Sequence, residues 1–395
     1  MGHWLLEYVA LLGTLCGLGY YLLCLLGAQA FLRRPRQAPA DFTPGVSILK
    51  PLRGTDPEAY ESFRSHCLQD YPEYEIIFGV RNEDDPAVPL VRRLIEEFPQ
   101  RAIRLVICPA TLGANRKVAT LIQMLGHASH PYLLVNDSDI RVPRDYLRRV
   151  LAGFADPRVG MVTCLYRGIA GRTLGSALEA VGINTEFFAG VLAARQVEGG
   201  IHFALGSTLA FRRPSLAAIG GLEPLLDYLA DDFELGQRIA AAGYEVHLSE
   251  VVVENYLPDY SFSAFLHHQL RWARSTRDSR PWGYAGLLLT FAVPWAALAV
   301  LAARGALWSW GVLALAVVLR LGVAFAVSRL VLEDRRWLGC LALVPLRDVL
   351  ALGVWLASYA GHTVHWRGDQ FILEKGKLRP IAEAVPAADA ATPAP

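Results

Sequence analysis

The sequence predicts an α/β domain, built on a mostly parallel sheet and held between membrane-embedded ends. Three observations carry this. Short apolar segments alternate with amphipathic ones from residue 46 to residue 164, the pattern of strands joined by helical crossovers. Apolar residues make up 53% of the 395-residue chain, with a mean hydropathy of +0.29. That excess gathers at the two ends, leaving a more polar middle. The net charge of +1 supplies no global field for nucleic acid, so no nucleic-acid partner is expected. The six cysteines follow neither a zinc spacing nor a disulfide framework, which agrees with a domain facing a reducing compartment.

Residues 8–32 are apolar and uncharged, long enough to cross a bilayer as a helix. Ala28-Gln29-Ala30 resembles a signal-cleavage site, but no Lys or Arg precedes the run, and the run is too long for a signal sequence. Arg33, Arg34 and Arg36 follow it and place the next domain in the cytoplasm by the positive-inside rule. Residues 1–36 therefore read as an uncleaved anchor with its N-terminus outside. A proline-containing linker over 37–45 leads into the domain.

Strands are expected at 46–49, 74–80, 103–108, 132–135 and 159–164, and helices at 58–68, 88–98, 116–126 and 145–154. In 88–98, for example, Val91, Leu94, Ile95 and Phe98 fall on one helical face. Residues 173–195 read as a long helix, either buried or on the membrane surface, with the surface favoured. Glu179 and Glu186 would then face solvent or headgroups. A strand over 202–211 is interrupted at Gly206-Ser207. Asp231 and Asp232 open a helix, where acidic residues suit the dipole. Short strands at 244–248 and 251–253 precede a helix at 262–274.

Three apolar stretches follow, at 283–303, 305–332 and 338–361. The second carries Arg320, and the third Arg347 and Asp348, costly residues within a membrane unless paired or functional. Three spans put the C-terminus outside, whereas Arg367, Lys375, Lys377 and Arg379 favour the inside. A last stretch lying at the interface would remove the conflict. The division expected is an anchor at 1–36, a cytosolic domain at 37–280, membrane or interfacial helices at 281–361, and a polar then Ala/Pro-rich tail at 362–395.

The chemistry centres on Asp137-Ser138-Asp139 at the mouth of the fourth strand. Residues i and i+2 of a strand point to one side, so both carboxylates could face a hard cation such as Mg²⁺ or Mn²⁺. A plain turn is the alternative, and Asp85, in an Asp-Pro pair after the second strand, has the same alternative. Arg116 and Lys117 stand at a helix N-terminus behind Gly113, a place suited to a diphosphate or simply to a solvated helix start. Asp232 suits either a base or a helix cap. His268, Arg271 and Trp272 precede the membrane helices, where Arg and Trp also serve as interfacial anchors. His202, Gly206 and Ser207 are candidates for an acceptor path. Neither a G-x-G-x-x-G after the first strand nor a P-loop is present, which weakens dinucleotide and P-loop chemistries.

In this order, the motifs Asp84-Asp85-Pro86-Ala87, Asn115-Arg116-Lys117, Asp137-Ser138-Asp139, Asp231-Asp232 and Arg271-Trp272 resemble the ceramide glucosyltransferase family, glycosyltransferase family 21. The bacterial branch associated with hopanoid biosynthesis is the nearest match, covering the chain from the anchor to about Pro380. The resemblance implies a GT-A, Rossmann-like fold, a UDP-sugar donor, a membrane-lipid acceptor and inversion at the anomeric carbon. It assigns Asp137 and Asp139 to Mn²⁺ or Mg²⁺ at the donor diphosphate. Asp85 goes to the uracil or ribose, Lys117 with Arg116 to the diphosphate, and Asp232 to general-base duty. Arg271 would add charge at the diphosphate, and Trp272 would wall the acceptor. His268 stands where relatives carry Gln or Arg, and its imidazole can still donate a hydrogen bond. A hopanoid polyol acceptor with N-acetylglucosamine comes first, and ceramide with glucose second. The Ala- and Arg-rich, Lys-poor composition suits a bacterial inner membrane, with the catalytic domain on the cytoplasmic face. Two other classes stay open: a non-catalytic lipid-binding scaffold and a multispan transporter.

Overall fold

The computed structural model describes residues 2–34, 42–366 and 369–380. Arg36, most of the expected linker, Arg367 and the Ala/Pro-rich tail beyond Pro380 lie outside the described residues. The chain opens with helix α1 (Gly2–Leu32), then alternates β1 (Val46–Pro51), α2 (Ala59–Cys67), β2 (Tyr74–Val80), α3 (Val88–Glu97), β3 (Ala102–Ile107), α4 (Arg116–Leu125) and β4 (Tyr132–Val135). β2 is buried along its whole length and β1 nearly so, as expected of parallel strands covered on both faces. α3 buries Val88, Val91 and Leu94, the period-3.6 face, against them.

A two-residue strand, β5 (Ile140–Arg141), and α5 (Tyr146–Ala152) lead to β6 (Val159–Ile169). Next come α6 (Leu174–Gly182), a π-helical turn (Ile183–Phe187), α7 (Phe188–Glu198), β7 (Leu209–Arg212), α8 (Arg213–Ala218), α9 (Asp231–Ala241), β8 (Glu245–Tyr256) and α10 (Phe262–Ser279). The eight strands form one sheet in the order β3-β2-β1-β4-β7-β6-β8-β5. The first four are parallel, β7 lies antiparallel between β4 and β6, and β6 pairs parallel with β8. The two short strands expected around 244–253 are one continuous strand, β8, paired along β6.

The helix expected on the membrane surface at 173–195 is instead an internal one. α6 and α7 pack against α1, α10, α14 (Trp337–Ser358) and β6. Glu179, expected to face solvent or headgroups, is fully buried. Apolarity alone could not separate these cases, because a helix buried in protein and one lying on lipid present the same side chains.

Among the described residues, four helical stretches are long and apolar enough to cross a membrane: Trp4–Leu32, Leu174–Glu198, Leu307–Val331 and Trp337–Ser358. Pro281–Thr290 and Ala292–Ala302 form a further candidate, bent by 52°. α11 (Pro281–Gly286) starts this bent pair and α12 (Ala292–Ala302) ends it. α12 packs on α1, where Gly13 faces Trp295 and Gly17 faces Ala292. α13 (Leu307–Phe325) begins beside Trp4 and Tyr8 of α1, through Trp308. Its far end returns to the α/β domain, where Arg167 donates to the carbonyls of Leu332 and Glu333 at 3.1 and 3.2 Å.

Both ends of α14 are also tied to that domain. Asn184 donates to Asp334 just ahead of the helix at 3.1 Å, and Arg277 donates to the Ser358 carbonyl at its end. The chain thus leaves and rejoins the α/β domain through α12 and α13, while α14 packs against α6 and α10. Arg320 and Asp348 face each other at 2.8 Å, and Arg320 also donates to the Thr185 carbonyl at 3.1 Å. Arg347 pairs with Glu186 at 3.2 Å, so Arg320, Arg347 and Asp348 each have a partner of opposite charge.

Residues 363–366 and 369–380, expected to belong to a polar tail, fold into a three-stranded antiparallel sheet: β9 (Thr363–Trp366), β10 (Asp369–Glu374) and β11 (Lys377–Pro380). Val364, Phe371, Leu373 and Leu378 make a small core with Leu229 of the α/β domain. Its alternating strands are short and carry charges on their outer faces, so composition alone disguised them as a solvated segment.

Candidate active site

The site begins where β4 stops. Asn136 is fully buried, and its amide donates to the Tyr146 hydroxyl at 2.9 Å and the Ser207 carbonyl at 2.6 Å. This anchors the strand end to α5 and to the loop before β7. The next three residues turn into β5, with the Ile140 N–H donating to the Asp137 carbonyl at 3.4 Å. Beneath them lies Lys50, the one charged residue of β1 and fully buried. Its ammonium donates to the Asp137 carbonyl at 3.0 Å. Burial pulls Lys50 down to about 7, against the pull of Asp139 and Asp137. Ser138 donates to Asp56. Asp139 is pushed up to about 7 by burial, with Asp137 and Asp56 adding to it. One of its carboxylate oxygens is buried without a hydrogen-bond partner.

A second loop brings the cationic partner. Asn115 caps α4 by accepting from Val118 N–H at 3.1 Å, and its amide donates to the Tyr228 carbonyl at 2.7 Å. The Asn115 N–H donates to the Leu226 carbonyl at 2.7 Å, and the Ala114 N–H to Asp227 at 3.1 Å. Gly113 sits so close to Leu226 that a Cβ there would lie 2.8 Å from it. These contacts stitch the start of α4 to the segment entering α9. They place Lys117 2.8 Å from Asp137 and 3.4 Å from Asp231. Burial opposes the charge on Lys117, but Asp137 and Asp231 outweigh it and hold the ammonium above its usual range.

Asp232, the next residue of α9, accepts from its neighbour Phe233 N–H at 2.8 Å. Its other oxygen and one of Asp137 converge on Gly206. A Cβ on that glycine would lie 3.0 Å from Asp232 Oδ2 and 3.4 Å from Asp137 Oδ2. Burial pushes Asp232 up to about 6, with Asp231 adding and Lys117 opposing.

A cleft of about 340 Å³ opens beside Asp137 and Lys117 and is lined by them and by Asp85, Arg116, Arg53 and Arg81. Asp85 also organises its rim. Its carboxylate accepts from Gly54 N–H at 3.0 Å and Ala87 N–H at 2.9 Å, the turn role weighed in the sequence. Trp366, Asp369 and Phe371 of the C-terminal sheet close the opposite wall, and Asp369 pairs with Arg116 at 3.2 Å.

His268 and Trp272 lie outside this cleft, on α10. The His268 ring sits 5.4 Å from Tyr260 in a stack, and its Nδ1 lies 3.2 Å from Glu179 without hydrogen-bond alignment. Gln269 donates to Glu179 at 2.8 Å and accepts from Arg347 at 2.7 Å. Trp272 meets Phe187 of the π-turn edge-on at 5.6 Å. Arg271 is half-buried on the same helix. Tyr166 of β6 links the two regions. Burial raises its phenol, and the carboxylates of Asp232 and Glu179 both add to the rise. It also packs edge-on against Phe188 at 4.7 Å. Of the expected acceptor-path residues, Gly206 lies between the carboxylates, Ser207 is buried beside Asn136, and His202 is exposed.

Asp137 and Asp139 are the candidate donors for a cation, the latter with an unpartnered buried oxygen. No group of three His, Cys, Asp or Glu side chains gathers among the described residues. Two carboxylates still fit a hard cation that keeps substrate phosphate oxygens in its shell. The sequence missed Lys50, Asp56, Asn136 and Glu179, as well as Trp366 and Asp369. Lys50 left a signal, as the lone charge in an apolar strand, and so did Asn136, directly ahead of the acidic pair.

The chain is 27% identical over 232 residues to ceramide glucosyltransferase 3 of Caenorhabditis elegans, an alignment covering 58% of this chain and 50% of the relative. It is 26% identical over 259 residues to an N-acetylglucosaminyltransferase of Rhizobium meliloti, covering 60% of this chain and 57% of that one. The chain spans about half the length of the first curated relatives it matches. Among solved structures, a mannosyltransferase from Pyrobaculum calidifontis, in complex with GDP-Man and Mn²⁺, superposes with a TM-score of 0.56 at 22% identity. That match covers 90% of this chain and 99% of the other, and it shows a shared glycosyltransferase fold of the GT-A kind. The model of glycosyl transferase family 21 matches residues 9–379, nearly the whole chain. The chain belongs to glycosyl transferase family 21.

Proposed function

We propose that this chain is an inverting glycosyltransferase that moves one hexose from a UDP-sugar to a hydroxyl of a membrane lipid. One observation carries the reading: Asp137 and Asp232 converge on Gly206 while Lys117 bridges Asp137 to Asp231. An anion-holding group and a carboxylate base are thereby brought to the same point. The cleft beside them suits a nucleoside diphosphate, with Asp85 at the rim and Arg116 and Lys117 available to its charges.

In this reading Asp137 and Asp139 would hold Mn²⁺ or Mg²⁺, which when bound would supply Lewis-acid stabilisation to the departing diphosphate. Lys117 adds a fixed positive charge on the same side. Asp232 accepts the proton of the acceptor hydroxyl as its oxygen bonds to the anomeric carbon. The bond from that carbon to the β-phosphate oxygen breaks, and its electron pair leaves with UDP. An Asp pushed up to about 6 is a stronger base than an ordinary carboxylate and is still ionised near neutrality. The acceptor approaches along α10, past Trp272 and Phe187, where the catalytic domain meets the apolar helices. Arg271 and His268 on that helix border the path.

The acceptor we place first is a hopanoid polyol with N-acetylglucosamine as the sugar, and ceramide with glucose is second. The Rhizobium N-acetylglucosaminyltransferase supports the sugar of the first pairing, and the ceramide glucosyltransferases support both members of the second. The enzyme would sit in a bacterial inner membrane with its donor cleft toward the cytoplasm, where nucleotide sugars are made. A matrix of UDP-glucose, UDP-N-acetylglucosamine and UDP-galactose against ceramide, a hopanoid polyol and diacylglycerol, read by product mass, tests the reading. One glycosylated lipid is expected. Lipid binding without turnover on any pair would favour a non-catalytic scaffold.

A further inference from the structure

The donor cleft has a wall that the catalytic domain does not supply. Trp366, Asp369 and Phe371 come from the C-terminal sheet, after the last apolar helix, and face Arg116, Lys117 and Asp137 across the cleft. The sheet is fixed by backbone bonds to the segment that carries the base. Leu229 N–H donates to the Gly376 carbonyl at 3.1 Å, and Leu378 N–H to the Asp227 carbonyl at 2.6 Å. Asp278 of α10 accepts from Gly376 N–H.

Asp369 is the anomaly on this wall. A carboxylate facing a diphosphate site repels the ligand, and two of the other three acids that line the cleft, Asp85 and Asp137, have separate work. Asp85 binds backbone N–H groups, and Asp137 pairs with Lys117. Asp369 instead holds Arg116 at 3.2 Å, with both side chains about two-fifths exposed. Arg116 is the cation that the helix N-terminus offers to a diphosphate.

We propose that Asp369 is a placeholder for the donor diphosphate. It holds the Arg116 guanidinium in position across the cleft until the incoming anion displaces it, which makes the C-terminal sheet a working wall of the donor site. The inference rests on the nucleoside-diphosphate reading above. A half-exposed ion pair contributes little, so the competition is mild and reversible by substrate, as a placeholder requires.

The test is equilibrium binding of UDP, GDP and inorganic pyrophosphate to the full-length protein in detergent with Mn²⁺. The proteins compared are wild type, Asp369→Asn, Arg116→Gln and the double variant. Asp369→Asn is expected to bind UDP and pyrophosphate about two- to fivefold more tightly, the size of a lost competing surface pair. Arg116→Gln is expected to bind both more weakly, and adding Asp369→Asn to it to change nothing further. Weaker or unchanged binding by Asp369→Asn overturns the proposal, as does an equal gain in the Arg116→Gln background. Weaker binding would make Asp369 a direct ligand of the donor or its cation. Pyrophosphate reports the placeholder whatever the nucleoside, so a gain for pyrophosphate and GDP without UDP binding would sink the UDP-sugar reading alone. No binding of any probe by wild type would sink both.

Discussion

Replacing Asp232 by Asn removes the proposed base while nearly preserving shape. The carboxylate is half-buried, and burial with Asp231 beside it raises it from the ordinary Asp value to about 6. Burial disfavours the charged form, so the active ionised form is lost as pH falls through that value. By simple titration, about nine-tenths of the sites are ionised at pH 7 and about one-tenth at pH 5. The wild-type kcat should therefore fall about tenfold between those values on a single-proton slope. Positioned general bases contribute about 10²- to 10⁴-fold, so Asp232→Asn should lose about 3–5 kcal/mol of transition-state stabilisation. The Asn oxygen can still accept from Phe233 N–H, and Lys117 and Asp137 are untouched, so the donor KM should stay within about threefold. The assay is UDP release against pH with a lipid acceptor in detergent. A variant that keeps wild-type kcat, or keeps the acidic limb near 6, would refute the assignment of Asp232 as base.

Two further perturbations probe other parts. Asp139→Ala should weaken UDP binding in the presence of Mn²⁺ about tenfold or more while leaving metal-free binding unchanged, measured by calorimetry with and without chelator; equal loss in both conditions would remove Asp139 from the cation site. Asp348→Ala strands the buried Arg320 guanidinium and should cost about 3–5 kcal/mol, seen as a lower melting temperature in detergent, whereas Arg320→Met with Asp348→Leu should recover most of the loss.

The α/β alternation was legible because each strand is a short apolar run and each crossover helix shows a 3.6-residue face. β2 and β4 fall at the residues expected from the sequence. The order of the motifs pointed to a candidate site, and the structure brings Asp85, Arg116, Lys117 and Asp137 into one cleft. What hid was set by tertiary contact. Glu179 reads as a surface acid on an apolar helix, but its partners His268 and Gln269 lie ninety residues downstream on α10. Lys50 is stabilised by the Asp137 carbonyl, a contact no local pattern encodes. The C-terminal sheet was missed because its core is completed by Leu229, far away in the chain.

The central claim is a single displacement at the anomeric carbon, with one carboxylate acting as base. It is tested most directly by the anomeric configuration of the lipid product, read by proton NMR after transfer from an α-configured UDP-sugar. The account predicts a β-glycoside, lost in Asp232→Asn. An α-glycoside, or a β-glycoside made equally well by Asp232→Asn, would contradict it.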